Sequence, residues 1–233
     1  MFDAFSQAMD MTLFWRYREI LLMGLWYNFL IFVLAAILAN VLGLGAAILR
    51  VSRHRPLRWI GTVHVELFRN APDYVMVIWI HFVLPILITM MIGKRFELHP
   101  VTSAVIALGL VYSGYFAEMY RAGILAIPRG NVEAGQSAGM ADGLILRRIV
   151  LPQVMRRVLP EMLNLCVSLF KGTTIVSLIA VPDLMYRVSM VTQQEMRPLP
   201  LYTGAAIVYF LIIISASTLA RAFGDRWVQR SQI

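Results

Sequence analysis

"ILLMGLWYNFLIFVLAAILANVLGLGAAIL", residues 20–49, contains no Asp, Glu, Lys or Arg. At about 1.5 Å of rise per residue, a helix of this length exceeds the roughly 20 residues that cross a bilayer's hydrocarbon core. Residues 74–93, 98–117 and 198–220 are also free of these four residue types, and a fifth run, 162–182, is broken only by Lys171. The fold class that follows is all-α and integral to the membrane, with five transmembrane helices. Composition agrees, since 15% of the chain is charged and 59% hydrophobic, whereas soluble domains carry about 25% charged residues.

The formal net charge of +8 does not point to nucleic acid, because of where the basic residues stand. Arg50, Arg53, Arg55, Arg58 and Arg69 lie between the first two runs. Arg121, Arg129, Arg147, Arg148, Arg156 and Arg157 lie between the third and the fourth, and Arg221, Arg226 and Arg230 follow the last. The opposite side has Arg16, Arg18, Lys94, Arg95, Arg187 and Arg197. This asymmetry obeys the positive-inside rule. It predicts an extracytoplasmic N-terminal segment over residues 1–19, a transmembrane domain over 20–222 and a cytoplasmic tail over 223–233, with the 121–157 segment in the cytoplasm. The first 19 residues lack the basic start and short apolar core of a cleavable signal, so the first span is expected to direct insertion.

The search for catalytic chemistry returns nothing. Cys166 is the single cysteine and reads as a small packed hydrophobe. No His, Cys, Asp and Glu cluster has zinc spacing, and neither a glycine-rich phosphate loop nor a Gly-x-Ser-x-Gly elbow occurs. No catalytic, cofactor-binding or metal-binding residue is therefore assigned. His81 is a lone histidine in an apolar run, poor support for a proton-coupled carrier. Glu66 and Arg69 can share a helix face, as can Glu118 and Arg121. Pro72 is expected to interrupt the path into the second span, and the polar segment 182–200 to lie outside.

One stretch contrasts with its oily surroundings: "EAGQSAGMADGLILRRIVLP", residues 133–152. Helix formers after Asn131 predict a short helix to Ala138, and Gly139 offers a C-cap. Asp142 can cap a second helix that carries Leu144, Ile145, Ile149 and Val150, with Pro152 turning the chain before the fourth span. A helix–bend–helix of this kind suits docking of a soluble partner, or lies as an amphipathic loop against the bilayer.

The spacing of Glu133, Ala134, Gly139, Ile149, Leu151 and Pro152 resembles the signature loop of bacterial ABC importer permeases: Glu-Ala-Ala, three residues, Gly, nine residues, Ile, any residue, Leu-Pro. Gly135 replaces the second Ala. "AEMYRAGILAIPRG" (117–130), "VELFRNAP" (65–72) and "LPEMLNLCVSLFKGTTIVSLIAVPDL" (159–184) are similar to the subfamily that imports polar amino acids such as histidine, glutamine, arginine and glutamate. The resemblance implies a bacterial inner-membrane location and a second permease chain, identical or different. It also implies two cytoplasmic ATPase subunits that hold ATP and magnesium, and an extracytoplasmic solute-binding protein. No cofactor is expected in this chain, and the signature residues are expected to couple it to the ATPase.

For the substrate path the fourth span offers Asn164, Ser168, Lys171, Thr173, Thr174 and Ser177, with Gly172 able to loosen the helix. An intramembrane lysine is paired or functional as a rule. The subfamily pattern has Asn-Glu and Lys-Asp-Thr-Ser here, whereas this chain has Leu165, Gly172 and Thr174 at the variable places. Acids for a cationic substrate are thus expected to be missing, which leans toward a neutral or acidic amino acid of the glutamate or aspartate type. The alternatives are another small solute, or a structural permease whose mate holds the substrate site.

Overall fold

The computed structural model describes residues 10–230. Residues 1–9 of the N-terminal segment and 231–233 of the tail lie outside the described residues. Secondary structure among the described residues is helical, with no strand. Helix α1 (Thr12–Arg16) leads into α2 (Arg18–Val51), which is followed by α3 (Arg55–Arg69) and α4 (Asp73–Ile78). A π-helical turn (Trp79–Val83) joins α4 to α5 (Leu84–Ile92), and α6 (Pro100–Leu125) comes next. Helices α7 (Arg129–Ser137) and α8 (Asp142–Ile145), a second π turn (Leu146–Val150) and α9 (Leu151–Gly172) follow, then a 3₁₀ segment (Thr173–Ile179). Helices α10 (Leu184–Glu195) and α11 (Pro198–Arg230) complete the order.

Five helical stretches among the described residues are long and apolar enough to cross a membrane: Arg18–Val51, Asp73–Ile92, Pro100–Leu125, Asp142–Ile179 and Pro198–Ala222. The third is the most enclosed, with 61% of its apolar window buried against 17–28% for the others.

The prolines explain where the helices break and where they continue. Pro72 precedes α4 in an extended conformation (φ −65°, ψ 129°), which separates α3 from the second span as expected. Both π turns end directly before a Leu-Pro pair, Leu84-Pro85 and Leu151-Pro152. A proline within a helix removes one N–H donor and crowds the carbonyl four residues back, and a widened turn relieves that crowding. The expected turn at Pro152 is therefore corrected: the fourth span runs on from Asp142 without interruption. Asp142 is likewise the first residue of α8 rather than its cap, a place taken by Ala141.

The chain divides into two compact units. The first comprises residues 1–37, 72–109 and 168–216. Its core joins Leu13, Leu21, Leu184, Val188, Val191, Leu201, Ala205 and Tyr209. The segment 182–200 thus contributes a helix with a buried face. Gly24 permits this packing, since a Cβ there would stand 2.6 Å from the Leu184 backbone nitrogen.

The second unit comprises residues 38–71, 110–167 and 217–233, with Ala46, Val65 and Ala117 at its core. Small residues let backbones approach within a membrane. Gly43 does so, as a Cβ on it would lie 2.6 Å from Phe116 Cβ, whereas Gly45 has no neighbour within 4 Å.

Candidate functional site

The signature stretch forms a braced hairpin within the second unit. Helix α7 ends in paired backbone bonds, Met140 N–H to Gly135 O at 3.0 Å and Gly139 N–H to Gln136 O at 2.9 Å. That is a Schellman cap, and Gly139 supplies its left-handed residue with φ +75°. Leu144 and Ile145 both donate to Ala141 O, which starts α8. Asn131 Nδ2 donates to Gln153 Oε1 at 2.8 Å, and Gln153 Nε2 donates to Ile149 O at 2.9 Å. These bonds tie the beginning of the hairpin to the beginning of α9.

The six signature residues separate into two sets. Ile149 turns inward, and a Cβ on buried Gly135 would lie 2.9 Å from its Cδ1; Leu151 is half-buried. Glu133, Ala134, Gly139 and Pro152 are exposed. One side of the hairpin is fixed to its own unit and the other is open.

A cavity of about 520 Å³ opens in the same unit, lined by Arg69, Asn70, Tyr115, Glu118, Met119, Ala122, Glu161 and Leu165. Glu118 is held by two cations, Arg121 Nε at 3.1 Å and Arg50, which reaches it from α2. The spacing of Glu118 and Arg121 foretells their pair, but Arg50 is 68 positions away and no sequence periodicity points to it. Glu66 accepts from Asn70 Nδ2 at 3.0 Å and forms no ion pair with Arg69 among the described residues.

Among the described residues Arg69 and Glu161 form no ion pair, so the cavity presents a cation and an anion not paired with each other. Residues four apart share a helix face, and Glu161 and Leu165 both line this cavity.

Asn164 is exposed on α9, one turn beyond Glu161; Ser168 and Lys171 are exposed in the first unit. Lys171 has no ion pair among the described residues. The hydroxyls are otherwise engaged: Thr173 Oγ1 donates to Phe170 O at 2.8 Å, Thr174 Oγ1 to Lys171 O at 2.9 Å and Ser177 Oγ to Thr174 O at 3.2 Å. Thr173 is also fully buried and accepts from Asn28 Nδ2 at 3.1 Å. These three side chains bond their own backbone where the α-helix tightens into 3₁₀ geometry after Gly172.

The chain is thus a multi-pass helical membrane protein whose polar hairpin is bonded to the foot of its fourth span. A family model described as "binding-protein-dependent transport system inner membrane component" matches residues 39–230, and the chain belongs to that family. The L-cystine transport system permease protein TcyB of Bacillus subtilis (strain 168) is 33% identical over 211 residues, covering 89% of this chain and 87% of the relative. The arginine ABC transporter permease protein ArtQ of Escherichia coli (strain K12) is 31% identical over 199 residues, covering 78% and 84%. The crystal structure of an amino acid ABC transporter with histidines contains a chain of the same fold, with TM-score 0.82 and 27% identity, covering 93% of this chain and 98% of that one.

Proposed function

We propose that this chain is the permease subunit of an ATP-driven importer of polar amino acids and forms the translocation path with a second permease chain, identical or different. The observation that carries this reading is the hairpin at 131–152, with Glu133 and Ala134 open to a partner and Ile149 locked against Gly135. Two ATPase subunits that hold ATP and magnesium would seat the open side; the permease itself needs no cofactor. An extracytoplasmic binding protein would deliver the solute. The arginine distribution supports an N-terminus outside and a cytoplasmic C-terminus. Under that orientation, residues 1–19 are extracytoplasmic, 20–222 form the transmembrane domain and 223–233 form the tail.

The cavity's charges suit the substrate class. Arg69 matches an α-carboxylate, and Glu161 matches an α-ammonium. Arg50 and Arg121 both pair with Glu118, so this triad offers no free carboxylate to a cationic side chain and carries a net positive charge, which favours a neutral or acidic amino acid. Relatives named for cystine and for arginine share this fold, so the backbone alone does not select the side chain. Exposed Asn164 would extend the path along α9, and Ser168, Lys171, Thr173, Thr174 and Ser177 are the path candidates of the first unit, since polar groups facing lipid are costly. ATP closure and the loaded binding protein must favour the outward state over the resting one, because a ligand with equal affinity for both moves nothing.

The test is ATPase activity of the co-purified complex in lipid nanodiscs, with its binding protein and single amino acids. Stimulation by one neutral or acidic amino acid, abolished by Gly139→Trp, is expected. Arg69→Gln or Glu161→Gln should weaken it without altering basal hydrolysis. Full stimulation of the Gly139→Trp complex would remove the coupling role, and the absence of any ATPase partner would sink the importer reading.

A further inference from the structure

A second cavity, about 670 Å³, lies within the first unit and is lined by Asp10, Thr12, Leu13, Trp15, Arg16, Glu195 and Arg197. It has no part in the proposed transport path. Its position along the chain is specific: Arg16 stands two residues before the span that begins at Arg18, and Arg197 one residue before the span that begins at Pro198. Cations at the ends of spans reach the lipid phosphate level. Trp15, 68% exposed, is a residue type enriched at that same level, and the Arg18 guanidinium sits 5.0 Å over its ring.

The cavity's charges come in two kinds. Arg16 and Arg197 make no ion pair among the described residues. Asp10 Oδ1 accepts from the Thr12 backbone N–H at 3.0 Å and from Thr12 Oγ1 at 2.6 Å, which holds its carboxyl below the usual range. Glu195 accepts the Tyr17 hydroxyl through Oε1. Two guanidiniums therefore stand beside two carboxylates that the protein has fixed in place. Next to them α2 carries exposed Leu22, Trp26 and Phe29 at helical spacing, an apolar stripe fit for acyl chains.

We infer that this cavity binds the headgroup of a zwitterionic phospholipid that carries a primary ammonium, with Arg16 and Arg197 on the phosphate and Asp10 and Glu195 on the ammonium. Guanidinium and phosphate match through parallel charge-assisted N–H donors. A primary ammonium offers N–H donors to the carboxylates. The quaternary ammonium of a phosphocholine offers none, and a phosphoglycerol headgroup has no cation at all.

The experiment is native mass spectrometry of the full-length chain with its co-purifying subunits, exposed to phosphatidylethanolamine, phosphatidylcholine and phosphatidylglycerol of identical acyl chains. Phosphatidylethanolamine should be retained about two- to five-fold more than either competitor, the range of a few partly exposed charge pairs. Joint Arg16→Gln and Arg197→Gln substitution should lower retention of phosphatidylethanolamine and phosphatidylglycerol alike. Glu195→Gln should erase the preference between these two. Thermal unfolding checks that each variant is folded; should the double Gln variant fail, the Arg16→Lys and Arg197→Lys pair must keep most of the binding. Equal retention of the three lipids overturns the inference, as does a Glu195→Gln variant that retains the preference. So does a double variant with unchanged lipid retention but lost stimulation by the binding protein, which would make the cavity a protein-docking notch.

Discussion

Asn28 and Asp183 are 155 residues apart in the chain, yet Asn28 Nδ2 donates to Asp183 Oδ2 at 3.1 Å. The same amide donates to Thr173 Oγ1 and accepts from the Leu184 backbone N–H at 3.2 Å and the Tyr209 hydroxyl at 3.3 Å. One fully buried side chain on α2 thus satisfies the 3₁₀ segment, the start of α10 and a hydroxyl on α11. Asn28→Leu keeps the branched side-chain shape and strands these partners. Each buried polar group left unpaired costs about 1–3 kcal/mol, so a loss of roughly 2–4 kcal/mol is expected. Thermal unfolding in detergent reads it directly, and an unchanged midpoint would refute the hub role.

Asp183 makes stability depend on pH. Burial raises its pKa from 3.8 to about 6, against the opposing effects of the Tyr186 N–H, Asn28 and Arg187. The folded chain therefore keeps this proton to about pH 6, whereas the unfolded chain releases it near 3.8. The contribution is fully present below the unfolded value and is lost as pH rises through about 6. The unfolding midpoint of the wild type should fall relative to Asp183→Asn across that window. Parallel pH profiles for the two proteins would exclude the titration of Asp183 as its source.

How far the sequence could be read depended on the kind of signal. The spans were legible because hydrocarbon demands long uncharged runs, and Gly139 was legible because only a few residue types cap a helix in left-handed geometry. The Glu118–Arg121 pair followed from local spacing. Arg50 did not, because it reaches Glu118 from another helix, and helical periodicity carries no information across 68 positions. Asn28 drew no reading from the sequence, because its partners are set by tertiary packing. Thr173, Thr174 and Ser177 are path candidates by composition, which does not reveal that each hydroxyl also donates to its own helix. Pro152 misled for a related reason: a proline's missing donor is absorbed by a π turn as readily as by a chain reversal.

Two buried glycines should respond differently to the same substitution. A Cβ on Gly24 would stand 2.6–2.7 Å from backbone atoms of Asp183 and Leu184, which cannot yield without shifting α10. Gly24→Ala is expected to cost more than about 2 kcal/mol through overpacking. A Cβ on Gly135 would meet Ile149 Cδ1 at 2.9 Å and Ile145 Cγ1 at 3.0 Å, side-chain atoms that can rotate away. The gain in helix propensity of Ala over Gly, about 1 kcal/mol, should offset that adjustment. Gly135→Ala is therefore expected to unfold near the wild-type midpoint and keep coupled ATPase activity, and similar midpoints for the two variants would contradict the packing difference.

Gly139 and Gly143 separate backbone strain from crowding within the 131–152 hairpin. Neither has an atom within 4 Å of where a Cβ would lie, but only Gly139 has a positive φ, at +75°. Left-handed geometry costs an ordinary L-residue about 1–2 kcal/mol and a β-branched one more, while Asn adopts it readily. Gly139→Asn should therefore preserve the Schellman bond from Met140 to Gly135, along with substrate-stimulated ATPase activity in the assembled complex. Gly139→Val should break that bond, release the end of α7 and reduce stimulation by about tenfold, as for some 1.4 kcal/mol lost from the coupled state. Gly143→Ala, in the right-handed helix of α8, should be neutral or stabilising. If Val at 139 couples as well as Asn does, the left-handed cap is not what holds the hairpin in its working shape.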